Sequence, residues 1–181
     1  MQVEETPLKD CYLLKPKIFR DERGIFLETY QRRQLAEISG IDAEFVQDNQ
    51  SVSKYGVVRG LHYQTGEFAQ TKIVRAIYGR VLDVVVDLRP DSPTFKQTYS
   101  VILDDENLYQ LYVPKGFGHG FSTLSEKSVF AYKCDDYYRP GSEAGIIYND
   151  PELAIDWQLP ENDIILSEKD RNLPTLKQAF G

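Results

Sequence analysis

The segment RVLDVVVDLR, residues 80–89, sets the first constraint, because its apolar residues recur with the period of a β-strand. Leu82, Val84, Val86 and Leu88 fall on one face, and Val81, Asp83, Val85 and Asp87 fall on the other. One face is wholly apolar; the other carries two carboxylates. Similar short runs recur as FVQDNQSVS, KIVRAIY, QTYSVILD, NLYQLYVP, SVFAYKC and AGIIYND. Turn signals separate them at YG (78–79), RPDSP (89–93), DDEN (104–107) and RPGSEAG (139–145). Many short strands at this spacing predict a β-sandwich or barrel. Helical pattern is confined to YQRRQLAEI, closed by Gly40 at C′, and to a turn or two within SEKDRNLPTLKQAF. No repeat of solenoid length, low-complexity tract or composition break marks a second unit. The expectation is one mostly β domain over residues 1–181, with a helical C-terminal segment over 160–181.

A chain of 181 residues can bury roughly 70% of the surface its unfolded form exposes, so a sizeable core is available. No apolar run approaches the roughly 18 residues a membrane helix needs, and the opening MQVEETPLKDCYLL lacks the basic-then-apolar order of a signal peptide. These features predict a soluble protein of the cytoplasm with no membrane partner. Cys11 and Cys134, far apart, read as free buried thiols rather than a disulfide framework. A net charge of −7 argues against a nucleic-acid partner, whose footprint is a basic patch. It leaves room for a small anionic ligand, since two or three local Arg or Lys groups suffice at short range.

Two histidines are the whole supply. A transition-metal site usually gathers two or three His or Cys ligands, and beyond His62 the segment YQTGEFAQ offers only Glu67, so a catalytic metal is not expected. His119 closes VPKGFGHGF, where Pro114, Gly116, Gly118 and Gly120 predict a turn that lets backbone approach a ligand. Around His62, strict alternation would send Arg59 to the opposite face, but a bulge at Gly60 would turn both inward. Lys72 follows on a segment predicted to pair with that strand through the turn QTGEFAQT.

Six stretches then bring in a family. FRDERGIFLETY (19–30), QDNQSVSKYGVVRGLHYQ (47–64), QTKIVRAIYGRVLDVVVDLR (70–89), VPKGFGHGF (113–121), AYKCDDYYRPGSEAGI (131–146) and LSEKDR (166–171) together resemble the dTDP-4-dehydrorhamnose 3,5-epimerases. The resemblance implies a cupin-like jelly-roll (double-stranded β-helix) barrel with a few short helices. It implies an epimerase in dTDP-L-rhamnose biosynthesis that inverts C3 and C5 of dTDP-4-dehydro-6-deoxy-D-glucose. The hydrogens at both carbons flank the C4 ketone, so each can leave as a proton to give an enolate. Return of the proton on the opposite face inverts the carbon. That chemistry needs a base, an acid and a cation at the developing oxyanion, and no cofactor or metal.

The resemblance carries these roles to particular residues. His62 is the base, suited by an ordinary pKa of about 6.5. Tyr132, on the alternation face of Phe130 and Cys134, is the proton donor, and Lys72 lies near the C4 oxygen. Asp170 orients the base, as a carboxylate orients histidine elsewhere. Ser167 and Asp170 also read as a helix-capping pair, and Asp83 is a second possible orienter. For the nucleotide, the resemblance implies Arg23 and Arg59 at the diphosphate, Gln47 and Asn49 as amide partners, and Glu28 and Glu143 as acceptors. Tyr138 stacks on thymine, with His119 and Lys169 as further ligand contacts. It also implies a homodimer in which residues 1–30 supply an intersubunit strand, so Arg23 and Glu28 would serve the partner's site.

Overall fold

The structure, a computed structural model, describes residues 1–181 apart from the side chains at 38 and 39. In chain order the strands are β1 (Gln2–Glu5), β2 (Tyr12–Lys15), β3 (Ile18–Asp21), β4 (Gly24–Leu27), β5 (Gln47–Lys54) and β6 (Val58–Gln64). They continue with β7 (Lys72–Tyr78), β8 (Arg80–Asp87), β9 (Thr98–Asp104), β10 (Gln110–Val113), β11 (Phe117–Thr123), β12 (Lys127–Cys134) and β13 (Glu143–Gly145). Helices α1 (Arg32–Ser39), α2 (Glu168–Arg171) and α3 (Leu176–Phe180), with three short 3₁₀ turns at Gly66–Phe68, Pro140–Ser142 and Glu161–Asp163, complete the described elements. Gly40 ends α1 in the left-handed region, at φ 73°, where it needs no Cβ.

Two antiparallel sheets face one another as a jelly roll. One has six strands in the order β1-β2-β10-β7-β12-β5, and the other five in the order β13-β6-β11-β8-β9. No hydrogen-bonded seam joins them into a closed barrel, and β3 and β4 form a separate hairpin. Between the sheets Val74, Ala76, Leu111 and Phe130 pack against Val81, Val85, Leu103, Phe117 and Phe121. Burying side chains of this size contributes about 1.5–3 kcal/mol each, so this layer is the main attraction between the sheets.

The alternation of β8 is read out on both sides. Val81 and Val85 join the inter-sheet core, whereas Leu82, Val84, Val86 and Leu88 face outward and are covered by Ile146, Leu153, Trp157 and Leu176 from the C-terminal segment. The cover is pinned by Asp150, which accepts from the backbone N–H of Leu176 at 2.7 Å, and by Trp157 Nε1, which donates to Tyr148 O at 2.8 Å. The two carboxylates of β8 therefore point between the sheets, where each has a partner. Asp87 accepts from Arg89, Ser92 and Thr94, and Asp83 pairs with His119.

Three expectations need correction. The glycines of VPKGFGHGF do not share one turn: Lys115 and Gly116 turn, while Gly118 and Gly120 lie inside β11. There they make room, since a Cβ on Gly118 would come within 2.8 Å of Val86 and one on Gly120 within 2.6 Å of the Arg59 carbonyl. The segment QTGEFAQT is a crossover containing a short 3₁₀ turn, and β7 pairs with β10 and β12 rather than β6. The neighbours of β6 are β11 and β13. Of AGIIYND only the first two residues extend β13, because Ile146 turns into the outer core and the chain leaves the sheet.

Candidate functional site

Between the sheets, beside the apolar core, lies a cavity of about 680 Å³. Its five-stranded wall is shaped by a bulge: the four residues of β6 from Arg59 to His62 oppose the three of β11 from Phe121 to His119. The bulge is built on Gly60, at φ 110°, where a Cβ would lie 2.6 Å from both Gly120 Cα and the His119 carbonyl. The parity break turns Arg59 and His62 into the same cavity. Arg59 donates from Nε to Ser53 Oγ at 3.2 Å, and among the described residues its outer guanidinium nitrogens make no hydrogen bond.

His62 Nε2 sits 2.5 Å from Oδ1 of Asp170, which is only 3% exposed. The capping reading of Ser167 is also realised, because Ser167 Oγ accepts the Asp170 backbone N–H at 3.1 Å. The two uses do not compete: the cap takes the backbone and leaves the carboxylate for His62. Burial alone would raise the Asp170 carboxyl, but the hydrogen bond and charge of His62, with Ser167 and Lys169, hold it below the usual carboxylate range.

Asp83 does not share that task. It lies 2.8 Å from His119 Nε2, forming a second buried pair between the sheets, and among the described residues its Oδ1 has no partner. His119 and His62 are register neighbours on β11 and β6, yet each turns to a different carboxylate. His119 reaches the cavity floor, stacked 6.1 Å from the Phe130 ring.

The facing wall comes from the six-stranded sheet. Phe130, Tyr132 and Cys134 of β12, Lys72 of β7, and Gln47, Asn49 and Ser51 of β5 all line the cavity. Strand period two delivers each set to one face. The Lys72 ammonium lies 5.9 Å from the Tyr132 ring centroid. Burial pushes the Lys72 amine below the ordinary lysine range, keeps the Tyr132 phenol protonated well above neutral pH, and raises the Cys134 thiol to about 11.

At the mouth, Tyr138 hydroxyl donates to Glu143 at 2.5 Å, and Lys169 pairs with the same carboxylate oxygen. Gln47 accepts the Tyr138 backbone N–H at 3.1 Å and donates to Asn49 at 3.0 Å. Eleven of the thirteen residues singled out in the sequence thus line one cavity. Arg23 and Glu28 do not. Arg23 sits at the tip of the β3–β4 hairpin, paired with Asp21 at 2.5 Å, and Glu28 follows β4 on the exposed surface.

Ser51, Gln64, Gln70 and Cys134 also line the cavity and were not singled out as site residues. Parity could have found three of them: Ser51 shares a face with Gln47 and Asn49, Gln64 with His62, and Cys134 with Tyr132. Gln64 accepts the Arg139 backbone N–H at 2.7 Å and so fastens the loop that carries Tyr138. Gln70, on the crossover, has no such signal. Among the described residues no cluster of three His, Cys, Asp or Glu side chains could hold a metal ion.

A jelly roll whose inter-sheet cavity sets an imidazole–carboxylate pair against a phenol and an ammonium has the groups that a proton-transferring isomerase requires. Comparison with known proteins narrows this. The family model for dTDP-4-dehydrorhamnose 3,5-epimerase matches residues 5–178. A curated enzyme of that name from Salmonella typhimurium is 50% identical, covering 99% of this chain and 98% of its own length. The crystal structure of such an epimerase from Elizabethkingia anophelis superposes with a TM-score of 0.95 at 53% identity, covering 98% of this chain and 97% of that one. A dTDP-6-deoxy-D-glucose-3,5-epimerase from Legionella pneumophila, solved with dTDP-4-keto-L-rhamnose, gives a TM-score of 0.93 at 49% identity over 97% of this chain and 93% of that one. The chain belongs to the dTDP-4-dehydrorhamnose 3,5-epimerase family, and its fold is the cupin-like jelly roll expected of it.

Proposed function

We propose that the cavity binds dTDP-4-dehydro-6-deoxy-D-glucose and inverts C3 and C5 to give dTDP-4-dehydro-L-rhamnose, with His62 as base and Tyr132 as acid. The observation that carries this is the placement of the two groups on opposing sheets around one cavity, because inversion needs proton removal on one face of the ring and delivery on the other. Asp170 fixes the imidazole orientation and stabilises the imidazolium that forms when the proton is taken. Lys72 neutralises the enolate oxygen at C4. A phenol kept protonated by burial has a proton to give, and an imidazole paired with a buried carboxylate can take one.

For the nucleotide, Tyr138 offers an exposed ring at the mouth, Arg59 an open guanidinium for the diphosphate, and Gln47, Asn49, Glu143, His119 and Lys169 polar contacts. Arg23 and Glu28 complete the nucleotide site of a partner protomer, in a homodimer of one-domain chains. The hairpin that carries Arg23 supports this, since it leaves Phe19, Ile25 and Phe26 exposed at 50%, 46% and 69%. Mixing Arg23→Ala with His62→Ala protomers restores activity if the residue works across the dimer, and no recovery rejects that part. We place the enzyme in the cytoplasm as a proposal. Separately, among the described residues no helix is long and apolar enough to cross a membrane.

The test is turnover in D2O. Deuterium at both C3 and C5 supports the double epimerisation, and label at one carbon alone rejects it. His62→Ala abolishes both turnover and exchange while dTDP affinity changes little; a parallel collapse of affinity removes the base assignment.

A further inference from the structure

Glu143 occupies a position that a simple ligand contact does not need. It stands on β13, whose register places Glu143 opposite Gln64 and Gly145 opposite His62 on β6. Its carboxylate is mostly buried and accepts two bonds on the same oxygen, from the Tyr138 hydroxyl and the Lys169 ammonium. Lys169 is the residue before Asp170 on α2, a helix of one turn that has Ser167 as its cap. α2 is too short to hold its own place: isolated helices of this length are unstable in water, and only packing or side-chain ties can fix it. The chain Tyr138–Glu143–Lys169 ends one residue from the carboxylate that grips His62.

We propose that Glu143 is a positioning residue for His62, acting through Lys169: the ion pair clamps α2 to β13, the strand beside β6, and so holds Asp170 against the imidazole. The inference rests on the reading of His62 as the base and adds a role to the ligand contacts assigned to both residues. Tyr138 shares the clamped oxygen, so the ring offered to the nucleobase is part of the same assembly. The two bonds outweigh burial and keep the Glu143 carboxyl below the usual range, as a clamp that works in the ionised state requires.

The experiment is a double-mutant cycle in kcat on the full chain with its dTDP-4-keto-sugar substrate. Glu143→Gln and Lys169→Met are each expected to lower kcat by about 10- to 100-fold, the cost of a displaced catalytic group, and the double variant is expected to lose no more than either single. Lys169→Arg keeps the ion pair and restores kcat. The downfield ring N–H resonance of His62, held by Asp170, broadens in the two disrupted variants and returns in Lys169→Arg. A double variant whose kcat loss is the product of the single losses, or single variants with unchanged kcat, overturns the clamp, whatever happens to KM. The base assignment fails separately: C–H exchange surviving in His62→Ala removes it, whereas an inert His62→Ala with multiplying clamp variants overturns the clamp alone. Thermal unfolding of each variant identifies any kcat loss that comes from global unfolding.

Discussion

Lys72→Met separates the energetics of folding from those of catalysis in one substitution. The Lys72 amine stands in the cavity wall without an ion pair among the described residues, and burial lowers its pKa. A lowered lysine pKa means that the folded surroundings disfavour the charge, so the ammonium destabilises the fold. Removing an unpaired buried polar group relieves about 1–3 kcal/mol. Lost attraction to the Tyr132 ring, 5.9 Å away, takes back about 0.5–1 kcal/mol. Methionine keeps the unbranched stem and its packing, so the net is a gain of about 1 kcal/mol. For a chain of 181 residues that raises Tm by about 2–4 °C. The sign fixes the pH window: the gain is full below the lowered folded pKa, fades as pH rises from there, and is gone above the unfolded value of about 10.4. Catalysis moves the other way, since loss of one oxyanion stabiliser lowers kcat by about 10²–10³-fold. Calorimetry and an NMR turnover assay on one preparation read both. A variant that melts earlier while keeping kcat within about fivefold would show that Lys72 serves the fold, and the argument from desolvation would be wrong.

Three further outcomes follow from the same geometry. Asp87→Asn, which removes a fully buried carboxylate bound by Arg89, Ser92 and Thr94, lowers stability by about 3 kcal/mol in urea unfolding at neutral pH. Although burial opposes it, hydrogen bonding holds this carboxyl below the usual range, so its stabilisation is present above about pH 4 and is lost as pH falls through the folded value; a difference that persists undiminished in acid contradicts this. Gly60→Ala, which must place a Cβ 2.6 Å from the β11 backbone at φ 110°, destabilises by at least about 2 kcal/mol and lowers activity through a displaced His62, and a wild-type melting curve would show that the bulge is not built on this glycine. Tyr132→Phe reduces net epimerisation by about 100-fold while His62 continues to exchange the substrate proton with solvent, and equal losses in both remove the phenol as acid.

Much of the site was legible because strand parity is a local property. Gln47 and Asn49, Phe130, Tyr132 and Cys134, and Asp83 and Asp87 each share a face by counting in twos, and every set points between the sheets. The one break in parity was visible too, as a glycine between Arg59 and His62. What the count could not supply was the sheet to which a strand belongs. Lys72 was expected beside His62 across a hairpin; instead β7 joins the other sheet, which puts the ammonium on the opposite wall, with the phenol. The glycines of β11 looked like a turn because composition does not distinguish a glycine that bends the chain from one that lets another strand approach.

The sequence by itself determined the strand faces, the break at Gly60, the residue types needed for proton transfer beside a ketone, and the family, since all of these are written within runs of a few residues or in motifs matched as they stand. Tertiary structure alone decided which carboxylate serves which imidazole. Asp170 reaches His62 from 108 positions away and Asp83 reaches His119 from 36; the resemblance pointed to Asp170 for His62, and strand pattern left Asp83 as a second candidate until the sheets were assembled. The physical reason is range: alternation fixes a side chain's direction, but its partner is chosen by which strands become neighbours and by where the C-terminal segment comes down on the five-stranded sheet.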